Sequence, residues 1–156
     1  MRIGLALAAL ALVIDRVVKL WLVELLTERG PMALTPFFNI VYARNAGMSF
    51  SLFSSAGPWG RWVLLALSLA IVFGLLIWLR RAESRWLAAA LGLIIGGALG
   101  NALDRLRSGF VEDFFDFHAF GYHWPAFNVA DMAIFGGVAF IVLDGFAFRR
   151  AKGNAR

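Results

Sequence analysis

The chain has 156 residues, 61% of them hydrophobic and only 16% charged, with a mean hydropathy of +0.75. That balance excludes a soluble globular domain, where roughly 25% of residues are charged, and points to a bilayer as the solvent. The net charge of +5 gathers where apolar runs end, so it reads as topology and not as a nucleic-acid face, and the absence of cysteine removes disulfides, thiolate metal sites and a cysteine nucleophile.

The first apolar stretch covers residues 3–26. Arg2 followed by a short run to Ile14 has the look of a cleaved signal peptide, but no small-residue cleavage box follows, and the pattern resumes through Val17, Val18, Leu20, Trp21, Leu22 and Val23. A retained helix is expected. It carries Asp15, Arg16, Lys19 and Glu24; Asp15 and Lys19 stand four apart, where an intrahelical pair neutralises both. A structural role fits that pair better than chemistry, orienting the outer loop or a lipid headgroup.

Residues 35–55 read differently. Phe37, Phe38, Ile40, Val41 and Tyr42, then Met48, Phe50 and Leu52 alternating with Ser49 and Ser51, have the period of a half-buried strand, and Asn45-Ala46-Gly47 lies between them as a turn or bulge would. A small β-hairpin or curved sheet at the outer membrane surface is predicted, with Tyr42, Trp59 and Trp62 in the interfacial belt.

Arg61 to Arg80 and Arg85 to Asp104 each enclose 18 residues without a charge, enough to cross the hydrocarbon with little tilt. The predicted spans are 61–80 and 86–106. Gly92, Gly96 and Gly100 repeat every fourth residue in the latter, a small-residue stripe for close helix packing. Just outward, Asn101, Asp104 and Arg105 share one helical stripe, which suits an ion-pair network somewhat better than direct catalysis. A fourth span is expected over 126–148, carrying Asp131 and Asp144; Asn128 and Asp131 have the spacing of an N-cap and its partner. The basic tail, 149–156, is expected to fray.

Arg2, then Arg80, Arg81 and Arg85, then Arg149, Arg150, Lys152 and Arg156 share one side of a four-span topology, which the positive-inside rule makes cytoplasmic. Spans three and four then bring Asp113 and Asp131 to similar depth on the outer side. Two carboxylates held close share a proton, the arrangement that activates a water and protonates a leaving amine. The helix terminus favours Asp131 as the ionised member, leaving Asp113, beside Glu112, protonated.

Three blocks carry a resemblance: Asn45-Ala46-Gly47-Met48-Ser49-Phe50-Ser51; Gly100-Asn101-Ala102-Leu103-Asp104-Arg105 with Gly109-Phe110-Val111-Glu112-Asp113-Phe114; and Phe127-Asn128-Val129-Ala130-Asp131. In order and spacing they resemble the signature blocks of bacterial lipoprotein signal peptidase, the type II signal peptidase. The resemblance implies a single-domain membrane all-α protein over 1–156: a four transmembrane helix bundle with a small extracytoplasmic β-cradle, in the bacterial inner membrane, with both termini cytoplasmic and the site facing the periplasm. It further implies an aspartyl endopeptidase that cuts prolipoproteins before the lipid-modified cysteine without cofactor or metal. Asp113 and Asp131 would be catalytic. Asn45, Gly47, Asn101, Arg105 and Asn128 would line the site, Asp104 would brace Arg105, and Asp15 and Lys19 would support. Membrane lipids and the cyclic peptide globomycin, as inhibitor, are the other implied partners, and the protein would act as a monomer. Many family members have two alanines where Met48 and Ser49 stand and an apolar residue at Glu112, departures that bear on substrate preference and pKa.

Two rivals remain open on the residues alone. Asp113, Asp116, His118 and His123 offer a metal-ligand set for a metallohydrolase or a phosphotransferase on lipid headgroups. Asp15, Asp104 and Asp131 offer a proton relay in a small transporter or assembly subunit.

Overall fold

A computed structural model describes residues 1–47 and 59–153, with the side chains of 145–153 left aside. Four helices and four short strands follow one another as α1 (Arg2–Arg29), β1 (Met32–Thr35), β2 (Phe38–Asn45), α2 (Gly60–Arg80), α3 (Arg85–Ser108), β3 (Val111–Ala119), β4 (Tyr122–His123) and α4 (Val129–Gly153). The helices match the predicted spans to within a few residues; α4 starts three residues later than expected, because Asn128 caps it, and runs past 148 to Gly153. Among the described residues, α2 and α3 are the two helices long and apolar enough to cross a membrane, with mean hydropathies of 2.6 and 1.7. In α1 the charges lower the average; Asp15 and Lys19 among them are buried against other helices and Arg16 is half-buried.

α3 is the central post, packed against α1, α2 and α4. Its glycine stripe is the reason. A Cβ on Gly92 would stand 2.2 Å from the Gly4 carbonyl oxygen, one on Gly96 2.4 Å from that of Ala8, and one on Gly97 2.3 Å from that of Ala130. Side-chain-free surface therefore brings the backbones of α1 and α4 against α3, as the four-residue spacing predicts. Ala8, Val72, Leu79, Ala88, Leu91 and Ile95 form the bundle's apolar core. Much of the remaining apolar surface faces outward, including Trp21, Phe73 and Phe135, as the lipid-facing side of a membrane protein requires.

Both ends of α3 are well capped. Ser84 accepts hydrogen bonds from the Trp86 and Leu87 amides at the start of α3. At its far end Gly109, with φ of +84°, donates its N–H to the Arg105 carbonyl and turns the chain into β3.

The strands form one sheet in the order β1-β2-β3-β4. β2 pairs antiparallel with β3, Asn45 opposite Val111 and Phe38 opposite Phe117, with a register shift between Ile40 and Ala43. The partner of β2 is thus β3, from the second outer segment, in addition to the short β1 that precedes it. The expected strand around Met48–Leu52, and with it the Met48 and Ser49 departures, lies outside the described residues. β3 escaped the alternation test because it is the central strand: Val111, Asp113, Phe114 and Asp116 are all buried, so period two is lost. Below the sheet Leu22, Leu26 and Phe114 make a second apolar cluster that seats it on the end of α1.

Candidate active site

Two carboxylates reach one place by different routes. β3 carries Asp113, and the chain returning from β4 pairs with the same strand: Phe127 accepts hydrogen bonds from the Phe114 and Phe115 amides at 3.0 and 2.9 Å and donates its own to the Phe115 carbonyl at 3.1 Å. This pins Asn128, the next residue, beside Asp113. Asn128 then opens α4. Its side-chain oxygen accepts from the Asp131 amide at 3.0 Å while Asp131 Oδ2 accepts from the Asn128 amide at 3.2 Å, a reciprocal capping box with aspartate in the usual place of glutamate.

The cap accounts for only part of these side chains. Asn128 is fully buried, and its amide donates to Asp113 Oδ1 at 2.7 Å and to Asn101 Oδ1 at 3.1 Å. Asn101 in turn donates to Asp131 Oδ1 at 2.8 Å. On the sheet side, Asn45 Nδ2 donates to Asp113 Oδ2 at 3.0 Å, and Asn45 Oδ1 accepts the Gly47 amide at 2.9 Å in a tight local turn. Gly47 adopts φ of +93°, and a Cβ there would collide with Leu64. Arg105 donates to the Asn101 carbonyl at 3.4 Å, and its charge acts on Asp131, Asp104 and Asp113.

The two acids differ in setting. Asp113 is 1% exposed, and burial pushes its carboxyl up to about 6; the charge of Asp131 adds to this, while the Asn45 and Asn128 hydrogen bonds and the Lys19 charge act in the opposite sense. Asp131 is half-buried at a helix N-terminus with donors on both oxygens. Glu112 contributes differently from expectation. As the neighbour of Asp113 on a strand it turns the other way, and its carboxylate meets the Tyr42 hydroxyl at 3.3 Å on an exposed face.

Behind the site lies an ion cluster. Asp15 and Lys19 pair at 2.9 Å, yet both are buried within the bundle, which places them away from lipid headgroups and the outer loop. Asp15 instead accepts the Ala130 amide of α4 at 3.0 Å. Asp104 does not brace Arg105 by a hydrogen bond; it pairs with Lys19 at 2.6 Å and with Arg16, and its Oδ2 accepts the Glu112 amide at 3.4 Å. Arg16 is a participant that residue spacing missed. Its position next to Asp15 on an apolar helix was the only available signal.

The set of Asp113, Asp116, His118 and His123 does not assemble. Asp116 meets His123 Nδ1 at 2.8 Å and Asn39 at 2.9 Å, and His118 stacks on His123, all separate from Asp113. Among the described residues no cluster of three or more metal-ligating side chains occurs. Burial acts upward on Asp116, but the His123 and Asn39 hydrogen bonds outweigh it and hold the carboxyl below its ordinary value. The proton relay loses its members as well, since Lys19 locks Asp15 and Asp104 into fixed pairs.

A bundle of helices carrying a small sheet, with two acids meeting through shared asparagines, has the make-up of a membrane enzyme. Comparison with known proteins agrees. A family model described as signal peptidase (SPase) II matches residues 7–147. A lipoprotein signal peptidase from Beijerinckia indica subsp. indica is 51% identical over 95% of this chain and 89% of its own length, and one from Methylocella silvestris 46% over 97% and 90%. A bacterial membrane enzyme solved by the in meso method superposes with a TM-score of 0.72 at 25% identity, covering 98% of this chain and 91% of its own. The chain belongs to the signal peptidase II family, and it is a protease.

Proposed function

We propose that the protein removes the signal peptide from diacylglyceryl-modified prolipoproteins by hydrolysing the bond before the lipidated cysteine, with Asp113 and Asp131 as its catalytic dyad. The observation that carries this reading is Asn128: its side-chain amide bonds Asp113 and its backbone amide bonds Asp131. One residue therefore holds both acids. Asp131, with two donors and a helix terminus, is the ionised member that takes a proton from water; Asp113, with its raised affinity for protons, is the member that polarises the scissile carbonyl and supplies a proton to the leaving amine. Asn45, Gly47, Asn101, Arg105 and Asn128 line the site and hold substrate backbone and lipid.

All four helices cross the inner membrane, both termini are cytoplasmic, and the sheet stands on the periplasmic side. The charge pattern supports this, and the pairing of Asp15, Arg16 and Lys19, with Asp15 and Lys19 buried, lowers the cost of carrying those charges on a spanning α1. A lipid-modified cysteine keeps the scissile bond at the outer leaflet, level with the helix ends that carry the dyad. The protein acts as a monomer and is blocked by globomycin.

The test is cleavage of a synthetic lipidated precursor peptide by the purified protein. Asp113→Asn and Asp131→Asn are each expected to lower kcat by about 1,000-fold or more, as loss of a member of a concerted catalytic unit does. Both variants should insert normally. Cleavage that persists in either one removes that residue from the dyad.

A further inference from the structure

The dyad depends on two elements, β3 and the first turn of α4, that share no covalent neighbourhood with α1. Yet a single ammonium on α1 reaches supports of both. Lys19 is 1% exposed and touches Asp15 at 2.9 Å, Asp104 at 2.6 Å and Asn101 at 3.5 Å. Each contact leads to the site. Asp15 holds the Ala130 amide, one residue from Asp131; Asp104 holds the Glu112 amide, one residue from Asp113; Asn101 donates to Asp131 and accepts from Asn128. Arg16, one turn nearer the start of α1, is the second cation on Asp104 and brings the cluster of Asp15, Arg16, Lys19 and Asp104 to neutrality.

We infer that Lys19 is a positioning residue of the reaction, registering the two acid-bearing elements against each other, and that Arg16 frees it to do so by sharing Asp104. The inference rests on the dyad reading above. Without Arg16, one ammonium serves two buried carboxylates and is drawn from Asn101. Without Lys19, all three links go.

The charge has a second effect on the same geometry. Asp113 is faced by Asp131 from α4, by Lys19 and, behind it, Asp15 and Arg16 from α1, by Asp104 and Arg105 from α3, and by Arg44 of β2 across from its neighbour Glu112. Lys19 acts on Asp113 alongside Arg105 and favours its ionised form. Removing Lys19 raises the proton affinity of Asp113, so the limb of the pH profile set by that acid moves upward.

The experiment uses the full-length protein, a lipidated precursor peptide and complete pH profiles for Lys19→Met, Arg16→Gln and Arg16→Lys beside the two aspartate variants. Lys19→Met is expected to lower kcat on the order of 100-fold, the cost of misplacing reacting groups by about 1 Å, with little change in KM. The limb of its profile set by Asp113 is expected to move up by about one pH unit, the effect of one charge across roughly 10 Å at an effective dielectric of about 20. Arg16→Gln, at a partly solvated site, should move kcat and profile in the same directions by a smaller amount, and Arg16→Lys should restore both. Folded Lys19→Met or Arg16→Gln protein with a lowered melting temperature but an unmoved kcat and pH profile overturns the inference, as does a change confined to KM. Should Lys19→Met fail to accumulate, the Arg16 pair decides by the same criteria. If Asp113→Asn or Asp131→Asn still cleaves, it is the dyad reading that fails, whatever the α1 variants do.

Discussion

α2 and α3 look alike as strings, each a charge-free stretch of 18 residues, and they behave as opposites in the fold. α2 is the more apolar, yet buries only Gly60, Leu65, Val72 and Leu79; α3, with its glycines and its polar outer end, buries twelve residues. The difference teaches that in a bilayer apolarity marks contact with lipid, because hydrocarbon tails are as apolar as leucine and offer no drive toward the interior. What marks the interior is small size and polar groups with partners. The helix that carries the site is therefore the less hydrophobic of the two.

That contrast is open to direct attack. The largest effect is expected from matched polar substitutions: Asn101→Ala on α3 removes the group bonding both Asp131 and Asn128 and should cost about 100-fold in kcat, whereas Ser68→Ala on α2, whose hydroxyl only returns to the Leu64 carbonyl, should leave kinetics unchanged. Next come the glycines. Gly92→Ala forces a Cβ into the Gly4 backbone and should destabilise by about 1–3 kcal/mol, read as a fall in melting temperature in detergent; Gly74→Ala, with nothing within 4 Å, should stay within about 0.5 kcal/mol of the parent.

A smaller effect separates the buried acid from ordinary surface carboxylates. Asp113 binds its proton more tightly in the folded state, near 6 against 3.8 for a free carboxyl, so its contribution to stability is complete below about pH 4 and is lost as pH rises through about 6. Infrared titration should show one protonated carboxyl ionising near 6, and Asp113→Asn should abolish that band. The smallest effect belongs to the sheet edge. Asp116→Asn weakens a pair with a histidine side chain 57% exposed and should cost less than about 1 kcal/mol, with cleavage retained and indifferent to chelators.

The helices were legible because their ends are written in Arg61, Arg80 and Arg85 and in the Asn128 cap, and the glycine packing because its spacing is regular. The convergence of Asp113 and Asp131 followed from counting spans. Pairing of β2 with β3 was not legible, since a central strand buried on both faces carries no alternation, and its partner lies more than sixty residues away in sequence. Nor were the partners of Asp104: a helical stripe says which side chains share a face but not which neighbouring helix meets it. Local spacing suggested Arg105, and the tertiary fold brought Lys19 and Arg16 instead.

The hydrogen bond from the Ala130 amide to Asp15 joins the first helix to the last. The Asn128–Asp131 cap closes part of the opening turn of α4 from within, and Asp15 satisfies the Ala130 amide from outside it. Loss of the Asp15 carboxylate therefore releases the start of the last helix from the first, one residue away from Asp131.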